Sequence, residues 1–154
     1  MATSGIAPQR LELEITETLM LQDGEKVFAT LTQLRNLGVR IGMDDFGTGY
    51  SSLRNLRKFP FDKIKIDRSF IQDLSEANVD AVAVVRSVVG LGVSLGIVTT
   101  AEGVETKEQL DRVRAEGCTE MQGFYICRPS PAHQIAELLA HSHRAADAAC
   151  AGSQ

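Results

Sequence analysis

The 154-residue chain has no tryptophan, only four prolines and only three cysteines. Cys118, Cys127 and Cys150 are an odd set without metal-like spacing, so neither a disulfide framework nor a cysteine-bound zinc is indicated. Free thiols fit a reducing cytoplasmic compartment. No apolar run reaches the roughly 18 residues of a membrane span, and Met1 to Arg10 lacks the apolar stretch of a signal peptide. Membrane contact by this segment is therefore not expected. Positive charge is also short: 16 basic residues face 20 acidic ones, for a net charge of −4. That excludes a strongly basic binder of DNA or RNA. Long disorder is excluded in turn, because 44% hydrophobic and 23% charged residues are the balance of a soluble globular domain. What is plentiful is glycine, thirteen residues against the four prolines, as in an α/β enzyme with many tight strand–helix turns.

Five strand–helix units are legible along the chain. Leu11–Glu17 alternates strictly and predicts a strand. A helix follows from Asp23, as N-cap, to Leu37, with Val27, Leu31 and Leu34 on one face and Gly38 at its end. Val39–Asp45 predicts the second strand, Phe46–Tyr50 a glycine-bearing loop, and Ser51 onward a short helix that must stop before Pro60. Lys63–Asp67 is the third strand. A longer helix begins near Asn78–Asp80, turns Val82, Val85 and Val89 inward, and ends in the stretch Gly90–Gly96. Ile97–Ala101 is the fourth strand, followed by Glu102–Glu105. Thr106 and Gln109 form a capping box for a helix ending at Gly117. The fifth strand is placed at Met121–Ile126, and Ser130–Pro131 reads as N-cap and first turn of a last helix. Residues 1–10 are a lead-in, 11–140 the domain, and 141–154 a frayed tail.

Successive βα units imply a parallel sheet, and parallel sheets are covered on both faces. Leu11, Leu13 and Ile15 nevertheless share a strand with Glu12 and Glu14. Val39, Ile41 and Met43 alternate with Arg40, Gly42 and Asp44. Ile64 and Ile66 alternate with Lys63, Lys65 and Asp67. A barrel resolves this: apolar faces meet outer helices and charged faces point inward, where they must pair or bind metal. The charges gather toward strand C-terminal ends, the functional face of such barrels.

The segments Leu13-Glu14-Ile15-Thr16-Glu17, Asp44-Asp45-Phe46-Gly47-Thr48-Gly49-Tyr50-Ser51-Ser52-Leu53, Lys63-Ile64-Lys65-Ile66-Asp67, Ala101-Glu102-Gly103-Val104-Glu105 and Met121-Gln122-Gly123 resemble the EAL family, bacterial phosphodiesterase domains that hydrolyse cyclic di-GMP. The resemblance runs from about residue 5 to about residue 140. It implies a partial TIM-type (β/α) barrel with its first strands missing, since the naming Glu-Ala-Leu motif and a following strand's asparagine are absent. It also implies metal-dependent conversion of cyclic di-GMP to linear pGpG, Mg²⁺ or Mn²⁺ in a two-metal site, a homodimer in the intact domain, and sensory domains upstream in a signalling protein. As a fragment, the chain alone is expected to be inactive. The alternative is a degenerate, non-catalytic EAL module that binds cyclic di-GMP or a protein partner.

The site residues follow. Glu14 is a metal ligand by resemblance. Asp44 and Asp45 are adjacent carboxylates that repel by about 3 kcal/mol at ~5 Å and an effective dielectric of ~20, a penalty a hard divalent cation removes. Asp44 faces inward by alternation, and Asp45, past the strand end, can turn to a second ion. Lys65 points inward and can orient water or neutralise phosphate charge, or pair with Asp44 or Glu14. Glu102 is in phase with the inward face of its strand and by resemblance meets the lysine and the catalytic water. Gln122 contacts substrate or water by resemblance. By resemblance Glu17 holds the Asp44–Tyr50 loop, and Glu105 is expected to steady loop or metal geometry. His133, His141 and His143 are set aside as ligands.

Overall fold

The computed structural model describes residues 4–22, 24–47, 53–75 and 78–135. Five strands, β1 (Glu12–Thr16), β2 (Arg40–Phe46), β3 (Lys63–Ile66), β4 (Val98–Ala101) and β5 (Glu120–Met121), form one sheet in sequential order. All four pairings are parallel. The helices are α1 (Glu17–Gln22), α2 (Gly24–Asn36), α3 (Leu53–Lys58), α4 (Arg68–Gln72), α5 (Val79–Leu95) and α6 (Lys107–Ala115). Asp23, the loop residues 48–52 and the tail 141–154 carry sequence expectations that lie outside the described residues.

Alternation sorts the sheet into two faces as expected. Ile41, Met43, Ile64 and Ile66 are each 0% exposed and meet Val85, Val89 and Leu31 of the covering helices, with Leu11, Leu13 and Ile15 packed beside them. Burying a side chain of this size contributes about 1.5–3 kcal/mol, so this outer-face layer carries the fold. The opposite face holds Glu12, Glu14, Arg40, Asp44, Lys63 and Lys65. Helix ends obey local chemistry. Asn78 caps α5 by accepting from Ala81 N, and Thr106 and Gln109 make the reciprocal capping box of α6.

Four expectations are corrected. The first strand ends at Thr16, because Glu17 already opens α1. A second short helix, α4, follows β3 directly, capped by Asp67. The fifth strand is only Glu120–Met121. Phe124–Ile126 instead turn back, with Ile126 N and Cys127 N both donating to Gly123 O. The cause is a close approach at Gly123, where a Cβ would lie 2.1 Å from Val104 O and 2.3 Å from Val104 N. Ser130 does not cap the last turn; its hydroxyl donates backwards to Arg128 O.

Candidate active site

The inward face is built in two tiers of charge. In the tier nearer the strand N-termini, Lys63 Nζ lies 2.8 Å from Glu12 Oε1 and 2.8 Å from Glu120 Oε2. Arg40 Nε stands 3.7 Å from Glu12 Oε2. Burial opposes the Lys63 charge, but the bonds from Glu12 and Glu120 hold its ammonium above the usual range. Glu120 is correspondingly held below the usual carboxylate range, first by its bond from Lys63. The register aligns Glu12 with Arg40 and sets Lys63 opposite Gly42 and Val98, so Lys63 reaches Glu12 and Glu120 diagonally, past the strand on either side.

Two residues further along β1 and β3, Lys65 is the hub of the second tier. Its Nζ is 2.7 Å from Glu14 Oε2, 3.0 Å from Asp44 Oδ1 and 2.7 Å from Glu102 Oε1, and its side chain is 7% exposed. Burial works against the ammonium, yet the surrounding carboxylates, Glu102 and Glu14 foremost, push its pKa well above an ordinary lysine. Three carboxylates around one cation leave negative charge uncompensated. Glu102 shows it: burial raises its pKa, Lys65 pulls the other way, and Asp44 and Glu14 add to the rise.

Asp44 and Asp45 reach the same side of the sheet, which regular pleating forbids for neighbours. The β2–β3 register shifts between Met43 and Phe46, and Asp45 adopts φ 54. It is the only non-glycine positive φ among the described residues. A bulge of this kind re-aims a side chain, and non-glycine left-handed backbone costs about 1–2 kcal/mol. The result is a group in which Asp44, Asp45 and Glu102 each bring an oxygen within 4.8 Å of the others. Burial, then Asp44 and Asp67, raise the Asp45 carboxyl above its usual range. Asp67 itself is lowered. Burial opposes ionisation, but Ser69 donates from its hydroxyl and its backbone N–H, the latter at 3.0 Å.

Hard oxygen donors gathered around excess negative charge fit a divalent cation. One detail supports the fit. Asp44 Oδ1 is buried against the Lys65 ammonium, 3.0 Å away, and shares that one charge with Glu14 and Glu102. Glu14 stands beside this group, joined to it through Lys65.

Glu17, 2% exposed, accepts from Gly47 N at 3.4 Å through Oε2. It thus ties the start of α1 to the end of β2, where the sequence places the loop. Gln122 is exposed. Its backbone bridges β4 and the next segment, donating to Ala101 O at 2.8 Å and accepting from Val104 N at 3.1 Å. Gln122 and Glu105 lie outside the converging carboxylates. With Glu102 and Gly103 they line a rim cavity of about 220 Å³, shared with Arg68, Gly123 and Phe124. Sequence reasoning missed Asp67 as a neighbour of Asp45 and missed Arg68 on this rim. The KIKID alternation pointed at Asp67, and only the turn into α4 brings Arg68 round.

The sequence profile of the EAL domain matches residues 1–129. The chain belongs to the EAL family. An uncharacterised protein of Sinorhizobium fredii is 52% identical over 136 residues, 88% of this chain and 16% of that protein. MucR of Pseudomonas aeruginosa, a bifunctional diguanylate cyclase/cyclic di-GMP phosphodiesterase, is 44% identical over 130 residues, 84% of this chain and 19% of MucR. Among solved structures, the MucR phosphodiesterase in complex with c-di-GMP superposes with a TM-score of 0.80 at 43% identity, covering 84% of this chain and 52% of that one. The manganese/c-di-GMP complex of Klebsiella pneumoniae BlrP1 gives 0.74 at 38%, covering 81% and 32%. The EAL chain described here thus spans 16% of the first relative's length and about half of the MucR structure. Its parallel five-stranded sheet matches part of the TIM-barrel-like fold of those structures.

Proposed function

We propose that these residues form the acidic half of a site that hydrolyses cyclic di-GMP to linear pGpG in bacterial second-messenger signalling. The observation that carries the reading is the convergence of Asp44, Asp45 and Glu102 on one point beside the buried Lys65. The MucR and BlrP1 complexes, which hold c-di-GMP, support the substrate, and the manganese in the latter supports a divalent cation.

Asp44, Asp45 and Glu14 would hold Mg²⁺ or Mn²⁺ ions, with Glu102 beside them. The ions would supply Lewis acidity toward a phosphodiester and lower the pKa of water. Lys65, permanently protonated in its carboxylate cage, offers a fixed positive charge to the phosphoryl oxygens as negative charge develops. Glu102, raised like Asp45 but in direct contact with Lys65, suits a proton-holding role toward the attacking water. Gln122, on the rim, would orient substrate by its amide. Glu17 would keep the Gly47 end of the loop in register, and that loop would couple the site to homodimer contact. The activity belongs to a domain-length polypeptide containing these residues, in a cytoplasmic signalling protein with sensory domains upstream.

The test is turnover by a domain-length chain, followed as pGpG, after chelation and after Mn²⁺ or Mg²⁺ is restored. Loss and recovery of pGpG formation supports the reading. Binding of cyclic di-GMP with no product under either condition identifies a non-catalytic EAL module instead.

A further inference from the structure

Asp67 accepts more hydrogen bonds than its helix needs. As N-cap of α4 it accepts from Ser69 N at 3.0 Å, and a bond of that kind is what a cap requires. Asn78 caps α5 in the same way, accepting from Ala81 N. At Asp67 the Ser69 hydroxyl donates as well, to the same Oδ1. Two bonds on one oxygen, one from backbone and one from a side chain, fix the rotation of the carboxyl. That rotation matters to Asp45. The β2–β3 register sets Phe46 opposite Ile66, which brings Asp45 and Asp67 to one corner, where the two carboxyls meet side chain to side chain. Asp45 sits at φ 54 in the break of this ladder, past the last β1 partner at Asp44, so strand pairing does not set its aim. Neighbouring side chains must set it. A carboxylate free to rotate turns away from another, because like charges repel. The Ser69 hydroxyl denies Asp67 that movement.

We infer that Ser69 is a positioning residue: through Asp67 it keeps Asp45 aimed at the point where Asp44 and Glu102 also bring an oxygen. The inference rests on the reading of that point as a divalent-cation site and adds the residue that holds the site ready. The other two carboxylates are placed by different means. Asp44 is turned inward by the pleat of β2 and lies 3.0 Å from Lys65 Nζ. Glu102 is held by its own 2.7 Å pair with Lys65. Asp45 relies on the Asp67 carboxyl behind it, and that carboxyl relies on Ser69. Ligands already in place spare a cation the cost of ordering them, which is why partners of metal ligands set metal affinity. Ser69 itself is exposed, so removing its hydroxyl leaves no buried group unsatisfied and costs the fold little.

The experiment is calorimetric titration of a domain-length chain with Mn²⁺, without cyclic di-GMP, alongside its melting temperature in chelator. Ser69→Ala is expected to bind Mn²⁺ about tenfold more weakly, the low end of the loss when a partner of a metal ligand is removed, because the backbone N–H of residue 69 still holds Asp67. Its melting temperature in chelator stays at the parental value. Ser69→Thr, which keeps a hydroxyl, keeps parental affinity. Asp67→Gly, a change that a cap position tolerates, weakens Mn²⁺ binding too, and adding Ser69→Ala to it has no further effect, since the path through Asp67 is already cut. Parental Mn²⁺ affinity in Ser69→Ala overturns the inference. So does a Ser69→Thr variant as weak as Ser69→Ala, a Ser69→Ala loss that persists undiminished on top of Asp67→Gly, or one that tracks a fall in the chelator melting temperature. A parent chain that binds no Mn²⁺ overturns the cation reading and the inference together.

Discussion

Lys65, on β3, and Glu102, just past the end of β4, form a 2.7 Å ion pair whose lysine side chain is only 7% exposed. Glu14 and Asp44 crowd the same ammonium. Removing the cation leaves three carboxylates facing one another. Lys65→Met is therefore expected to destabilise the fold by about 3–5 kcal/mol near neutral pH, as for one partner lost from a buried pair. If Lys65 also stabilises the reaction's charge, kcat falls far more than KM rises in the residual folded protein. Melting temperature and kcat measured on one preparation separate these effects. An unchanged melting temperature contradicts the structural part.

Asp45 is held against its preferences, with a positive φ and a carboxyl raised by burial and by Asp44 and Asp67. Asn tolerates left-handed backbone and carries no charge. Asp45→Asn is expected to melt higher than the parent in chelator, by about 0.5–1 kcal/mol, and to gain less on adding Mn²⁺. A variant stabilised by Mn²⁺ as much as the parent removes Asp45 from the ligand set.

The first tier sets a pH window. Glu120, lowered from 4.5 by Lys63, contributes stability above pH 4.5 and loses it as pH falls through its lower folded value. Lys63, raised above 10.5 by Glu12 and Glu120 against its burial, contributes below 10.5 and loses it as pH rises through its folded value. Glu120→Gln should therefore lower the melting temperature at neutral pH, with the difference shrinking in acid below pH 4.5. A difference that persists unchanged in acid shows that the effect is not the ion pair.

Gly123 fixes where the fifth strand ends. A methyl there meets the Val104 backbone at 2.1 Å, and backbone cannot move aside as a flexible side chain can. Gly123→Ala is expected to cost about 3 kcal/mol, read from denaturant midpoints. A loss below about 1 kcal/mol contradicts the packing described here.

The sheet faces were legible because parallel pairing forces burial on both sides, so the charges of Glu12, Glu14, Lys63 and Lys65 had to meet inside. Which charge meets which was not legible, because the ion pairs run diagonally across the register, Lys63 to Glu12 and Lys65 to Glu14. The short helices α1 and α4 were not legible, since five or six residues give no periodicity to read and neither is bounded by a proline as α3 is by Pro60. Phe124-Tyr125-Ile126 looked like strand because the run is β-prone, and only the close approach at Gly123 turns it away. The inward aim of Asp45 was expected from a strand end. The structure achieves it inside β2 with a bulge, and no glycine marks that position.

The most direct test of the acidic site is cyclic di-GMP turnover by a domain-length chain and its Asp44→Asn variant, side by side at saturating Mn²⁺. The amide keeps the shape of Asp44 and removes its charge. The parent is expected to form pGpG and the variant to fall by about a hundredfold or more, at least ~3 kcal/mol in barrier. Turnover by Asp44→Asn near the parental rate would contradict the assignment of this carboxylate, and with it the site as described.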